Sequence, residues 1–427
     1  MNNQKKISRS SDKKIILASM TGNVLEFYDF TIFVFLTPLI SPLFFPAEDQ
    51  IVSLMAGLGT YAVGFFMRPF GSLLFGYIGD TYGRKKALTL SIFLMALPTS
   101  LMGCLPTYGQ IGILAPLLLI ACRLCQGLCA GAEYNGASIF TVENIQKTGA
   151  GLGGALITVS SATGSLTASL VAGILSLPGM PSYAWRFAFL GGVIVAGVGF
   201  YLRCHVQETI TFQRDQKRHT FFHLKEALRH YPRAILCTFA IAACSGIMYG
   251  VVMQYSGIFL KTFLGWSVGD SLLVVMFGTA CYIFLCPLGG IIADRLGERR
   301  VMMTGALITL IGVYPVMVLL SKAQTFSQAL VAEFLLALMA AWFQSPMNAF
   351  MAKLFPLSCR YSGLAFGYTT GMAAFGGTMT MLSTALTHWL DNPLAPVLYF
   401  MMGALMGLLG VIKATPYFPL NIFKNTL

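Results

Sequence analysis

Apolar residues run along this chain in stretches longer than a soluble helix needs to bury one face. Twelve such stretches recur, at about 15–45, 51–79, 87–105, 113–142, 151–177, 187–204, 234–262, 269–293, 301–321, 327–353, 362–390 and 396–413. A helix of roughly 20 mostly apolar residues crosses the hydrocarbon layer of a membrane, and backbone in lipid must satisfy its own hydrogen bonds, which selects helices for runs of this length. The pattern therefore predicts an all-α membrane protein with twelve transmembrane helices. Several stretches exceed the minimum, so tilt or kinking is expected, with Pro38, Pro42, Pro287 and Pro346 as kink sites.

One polar loop is written twice. Gly76, Asp80 and Gly83, followed by Arg84, Lys85 and Lys86, recur as Gly290, Asp294 and Gly297, followed by Glu298, Arg299 and Arg300. The offset is constant, 290 − 76 = 214, about half of 427 residues. A repeat of that length in an apolar chain predicts two homologous six-helix bundles, a common plan for transporters. The expected organisation is a cytoplasmic N-terminus (1–14), a first bundle (15–204), a cytoplasmic linker (205–233), a second bundle (234–413) and a cytoplasmic tail (414–427).

Composition agrees, with 56% hydrophobic and 10% charged residues and a mean hydropathy of +0.72. The net charge of +12 would suit nucleic acid, but its distribution excludes that reading. Lys5, Lys6, Arg9, Lys13 and Lys14 precede the first stretch, the linker is rich in Arg and Lys, and both loop copies carry bases. All fall on one side if twelve spans alternate, while Glu48, Asp49, Asp270 and Asp391 fall on the other. By the positive-inside rule both termini are cytoplasmic, in a multi-pass protein of the cell's inner (plasma) membrane. Cys122, Cys125 and Cys129 lie three and four apart, a spacing that suits close helix packing better than a metal or redox site. No metal and no cofactor are expected. The chain holds no Walker loop and no His-Glu-x-x-His motif, and it is expected not to be an enzyme.

The glycines of the repeated loop allow a tight turn and close approach. Its Asp can accept from an Arg or from the free N–H groups of a helix start, so the cluster suits a latch that closes in one conformation and opens in another. At these residues the chain resembles the major facilitator superfamily over essentially its whole length. The resemblance implies two pseudo-symmetric six-helix bundles around a cavity that opens alternately to each side. Asp80, Arg84, Asp294, Arg299 and Arg360 would then form the cytoplasmic gate, and Glu298 in place of Arg84 makes that latch asymmetric.

Ionisable groups inside spans are costly and are functional candidates by default. Glu26 and Asp29 lie three apart in the first stretch, Arg68 in the second, Arg123, Gln126 and Glu133 in the fourth, and Glu333, Gln344 and Asn348 in the tenth. A carboxylate whose surroundings change during a transport cycle can load and release a proton. Glu26, Asp29 and Glu133 are the proton-coupling candidates, with Arg68 and Arg123 as counter-charges. Substrate-binding candidates are Arg68, Arg123, Gln126, Tyr28, Tyr134, Asn135, Tyr249, Gln254, Tyr255, Gln344 and Asn348.

Gly22-x-x-x-Glu26-Phe27-Tyr28-Asp29-Phe30, Gly131-Ala132-Glu133-Tyr134-Asn135-Gly136-Ala137, Trp185-Arg186, Glu208-Thr209 and Arg360-Tyr361-Ser362 together look like the metabolite:proton symporter branch of that superfamily. The resemblance implies import of a small polar organic solute, a zwitterionic osmolyte, amino acid or organic acid, by proton symport through alternating access, by a monomer whose partners are solute, protons and lipid. An exporter or a siderophore or metal-chelate transporter of the same fold is the alternative.

Overall fold

The computed structural model describes residues 2–417 except 83, 132–133, 137, 140–148, 178, 194–196, 198–219 and 357–358, and leaves the side chains of 2–19, 76, 79–82, 84–89, 92 and 220–223 undescribed. Its long elements are helices: α1 (Asn2–Phe44), α2 (Gln50–Tyr82), α3 (Arg84–Cys104), α4 (Leu114–Ala130) and α5 (Ala150–Leu175). The sixth, α6, begins at Trp185–Leu190, and a linker helix spans Thr220–His230. The second half holds α7 (Pro232–Leu264), α8 (Val268–Leu296), α9 (Glu298–Ser321), α10 (Phe326–Ala352), α11 (360–389) and α12 (Pro396–Lys413). Nine helices among the described residues are long and apolar enough to cross a membrane. With α3, α6 and α11 they make the expected twelve.

Two helices change hydrogen-bond register without a proline. A π-helical turn occupies Val251–Tyr255 in α7 and another Met372–Gly376 in α11. Each inserts extra backbone into a turn and re-aims the side chains that follow, a feature often found at functional sites. In α10 the helix breaks after Gln344 and resumes at Met347, around Pro346. Pro38 and Pro42 lie within α1 and Pro287 within α8.

Packing follows the repeat. Helix α1 packs on α5 as α7 packs on α11, and α2 on α4 as α8 on α10. The halves meet along two seams, α5 against α8 and α2 against α11. Lipid supplies no hydrophobic drive between helices, so small residues and polar contacts hold them. A Cβ on Gly71 would fall 1.9 Å from the Leu128 carbonyl oxygen, so α2 and α4 touch backbone to backbone. Between α1 and α5, the Asn23 amide donates to Ser160 and Ser161 Oγ, each at 2.7 Å, and to the Ile157 carbonyl at 3.2 Å. Cys122 and Cys129 are buried while Cys125 faces outward, and none of the three forms a disulfide among the described residues.

Candidate functional site

A small cavity lies between the halves. Phe27, Phe30 and Thr31 of α1 and Tyr61, Phe65 and Arg68 of α2 wall it on one side; Tyr249, Gly250 and Gln254 of α7 and Met372 and Gly376 of α11 wall it on the other. On α2 the lining follows helical spacing, since 61, 65 and 68 are i, i+4 and i+7. Both π turns face the cavity: Gln254 belongs to one, and Met372 and Gly376 to the other.

The guanidinium of Arg68, 4% exposed, lies 4.1 Å from the Phe30 ring centre and 4.3 Å from that of Phe65. Arg123 lies deeper in the first half, over Phe30 (4.4 Å), Phe33 (4.5 Å) and Tyr61 (5.1 Å). It donates from Nη1 to Gln126 Oε1 at 2.7 Å, and the Gln126 amide donates to Thr99 Oγ1 at 2.6 Å. Aromatic faces stabilise a desolvated cation, so two charges that lipid would reject are held here by rings. Among the described residues, these rings lie against both guanidinium groups, and Gln126 accepts from Arg123. Glu26 and Asp29 are buried, and Asp29 lies beside Gly192 at the start of α6, where a Gly192 Cβ would stand 3.2 Å from Asp29 Oδ1. Glu133 lies outside the described residues.

Gln254 bridges three helices. Its amide donates to the Tyr61 hydroxyl at 2.8 Å, and its carbonyl accepts from Thr380 Oγ1 at 3.0 Å. The Tyr249 and Ser165 hydroxyls meet at 2.5 Å across the α5–α7 gap. Tyr28 instead donates to the Ala188 carbonyl inside the first half. In the second half Tyr255 bonds Thr387 Oγ1 at 2.8 Å, and Gln344 accepts from the Tyr282 hydroxyl at 2.7 Å. Arg68, Tyr249 and Gln254 are thus brought to the cavity wall, whereas Tyr28, Tyr255 and Gln344 tie helices within one half. Asn135 is buried beside Tyr134 in the chain.

Tyr134 and Asn348 close the basic side. Asn348 Nδ2 donates to Tyr134 Oη (3.1 Å), the Gly154 carbonyl (3.2 Å) and Thr158 Oγ1 (3.3 Å). Tyr134 stacks on Tyr368 with ring centres 5.0 Å apart and planes 13° from parallel. The Tyr134–Asn348 contact repeats the offset of the loop motif, since 348 − 134 = 214, so the closure joins one position of the first half to its counterpart in the second.

Farther out on the basic side, Asp294 at the end of α8 accepts from the Gly151 and Leu152 amides at 2.7 and 3.0 Å. The carboxylate caps the N-terminus of α5, where free N–H groups and the helix dipole favour negative charge. Gly149 holds φ at +121°, and a Cβ there would fall 2.1 Å from Asp294 Oδ2, so glycine is required on both counts. Arg299 donates to the Ile412 carbonyl at the end of α12, within the second half. Arg360 is buried at the start of α11 and reaches the Phe355 carbonyl. Glu298, in the place of Arg84, pairs with Lys353 at 2.5 Å. The side chains of Asp80 and Arg84 lie outside the described residues.

Sequence reasoning passed over Tyr61, Phe65, Met372 and Tyr368. The helical spacing of Tyr61 and Phe65 to Arg68 was an available signal; Met372 and Tyr368 carry none that separates them from packing residues.

The profile described as Major Facilitator Superfamily matches residues 20–290 and 264–422. The proline/betaine transporter of Escherichia coli (strain K12) is 29% identical over 429 residues, spanning 96% of this chain and 85% of that one. The proline/betaine transporter of Salmonella typhimurium (strain LT2) is 28% identical over 415 residues, spanning 93% and 82%. Among solved structures, a proton:xylose symporter bound to 6-bromo-6-deoxy-D-glucose superposes with a TM-score of 0.74 at 15% identity, over 95% of each chain. A crystal structure of a D-xylose-proton symporter gives 0.71 at 17% identity, over 93% of this chain and 96% of that one.

Proposed function

Because the chain belongs to the major facilitator superfamily and is a membrane transporter, we propose that it imports a small zwitterionic solute, of the proline or betaine kind, together with protons. One observation carries the reading: among the described residues that wall the cavity between the halves, Arg68 is the one charged side chain and the others are aromatic or neutral. A solute carboxylate would pair with Arg68, and its ammonium would lie against the rings of Phe27 and Tyr249. The names of the similar transporters support that class. Glu26 and Asp29 on α1, together with Glu133, would carry the proton, so that loading them changes the charge facing Arg68 and Arg123.

Alternating access would proceed by opening the Tyr134–Asn348 closure on one side and the Gln254 bridge on the other. The Asp294 cap on α5, with Asp80, Arg84, Arg299 and Arg360, would latch the basic side, which the positive-inside rule assigns to the cytoplasm. The two bundles, 15–204 and 234–413, would move about the linker 205–233. Residues of both halves wall the cavity, and the transporter would act as a monomer.

The test is uptake into proteoliposomes with an imposed inward proton gradient, screening proline, glycine betaine, 2-oxoglutarate, citrate and shikimate. Accumulation of a zwitterion that collapses with a protonophore is the expected result. Accumulation of a dicarboxylate alone, or of nothing by folded protein, would overturn the assignment and move the exporter and chelate-transporter readings forward.

A further inference from the structure

Gln254 lines two spaces at once. Beyond the central cavity, a mostly apolar cleft opens between the outer ends of α1, α7 and α8, and Gln254 forms its floor. Along α1 the cavity residues Phe27 and Thr31 continue into the cleft residues Val34 and Pro38. Along α7, Gln254 continues into Ile258 and Lys261. These steps of three and four place each set on one helix face, so cavity and cleft are successive parts of one groove.

Lys261 is the single charged residue among the described residues of the cleft wall. It is half-buried, and among the described residues no hydrogen bond or ion pair holds its ammonium. A cation kept against apolar walls is costly unless an anion joins it. Seven residues separate Lys261 from Gln254, about 10 Å of helix at 1.5 Å per residue.

We propose that this cleft is the solute's entry path from the acidic-loop side, with Lys261 as the first contact for its carboxylate and Gln254 as the plug between cleft and cavity. The solute class rests on the reading given under Proposed function; the path does not. The plug is neutral, held by one hydrogen bond to α2 and one from α11, so it releases without leaving a buried charge behind. A carboxylate passing it exchanges Lys261 for Arg68.

Two measurements on the full chain test this separately. A membrane-impermeant sulfosuccinimidyl ester is applied to right-side-out vesicles, and acylated lysines are read by mass spectrometry. Lys322, exposed in the loop after α9, reports the outer face, and Lys353, paired on the basic side, the inner one. Lys261 should react with Lys322 and be shielded by excess glycine betaine, while Lys353 stays unmodified. Gln254→Asn, too short to make both bonds, should leave Lys261 acylation within about twofold, because the plug lies inward of Lys261, with Lys322 unchanged. Labelling of Lys322 without Lys261, or of Lys353 alone, overturns the path. In uptake assays Lys261→Gln should raise KM about three- to tenfold with kcat nearly unchanged, and added salt should raise KM only in the parent. An unaltered KM overturns the carboxylate contact. Outside labelling of Lys261 in a protein that transports neither betaine nor proline would sink the solute class and leave the path standing.

Discussion

The two halves share a plan but bury different chemistry. The first keeps Glu26, Asp29, Arg68 and Arg123 at 4% exposure or less within its spans. Deep in the spans of the second, the described residues include one buried carboxylate, Glu333, with Gln254, Gln344, Asn348 and Thr380 as neutral partners. A buried charge must be paired, moved or kept neutral, whereas a neutral hydrogen bond is exchanged at small cost. On the proposed reading the repeat preserves helix packing while dividing labour: the first half would hold the charges that a proton can alter, and the second would supply contacts that break and remake as the halves move.

The largest effects should come from the first half. Asp29→Asn and Glu26→Gln should reduce uphill accumulation to that of protein-free liposomes while solute exchange without a gradient persists. Glu333 accepts from Ser256 Oγ at 3.2 Å and lies against Gly278, inside the second half, so Glu333→Gln should retain accumulation within about twofold, as expected where a neutral amide can replace a carboxyl acceptor. Equal losses in all three variants would break the division between the halves.

Next comes Arg68→Lys. A lysine keeps the charge but loses the planar face that rests on Phe30 and Phe65 and the fork that grips a carboxylate. KM should rise about tenfold, the equivalent of one lost charge-assisted hydrogen bond, with the variant still folded. An unchanged KM would move the carboxylate site elsewhere in the cavity.

The seam on the basic side sharpens the comparison further. Asp294→Asn keeps the shape of the α5 cap and loses its charge, worth about 1 kcal/mol at a helix N-terminus. That favours the conformation open on the basic side about fivefold, measurable as faster cross-seam thiol labelling on that face. Gly149→Ala meets both the positive φ and the carboxylate, so it should cost more than Asp294→Asn in the same assay.

Much of this fold was legible because hydropathy is local: a run long enough to span announces itself whatever its neighbours are. The loop repeat likewise pointed to Asp294 as an acceptor for a helix start, since Gly, Asp and Gly at fixed spacing have a backbone meaning. Which way a helix faces about its own axis is set by packing, and sequence did not carry it. Tyr28, Tyr255 and Gln344 looked as suited to a cavity as Tyr249 and Gln254. The π turn at Val251–Tyr255 adds to the difficulty, because face assignments made at 3.6 residues per turn on one side of it are rotated on the other. The rings around Arg68 and Arg123 were not legible either, since one aromatic among 33 Phe and 17 Tyr residues gives no local sign of facing a guanidinium.

The smallest effect should lie at the outer contact between the halves. His388 at the end of α11 stands 3.4 Å from Asp49 in the α1–α2 loop, with side chains 33% and 45% exposed. Exposed ion pairs contribute about 0–1 kcal/mol and are screened by salt. Asp49→Asn should therefore change the initial uptake rate by less than about fivefold at low salt and not at all at high salt. The contrast with Asp29→Asn is the sharpest form of the comparison, because both substitutions remove one carboxylate from the first half. Asp29 is buried within a span, whereas Asp49 lies in an exposed loop. A loss at Asp49 as deep as that at Asp29, and persisting in salt, would mean that transport depends on the charge of the outer loop itself. The assignment of coupling to buried groups would then fall.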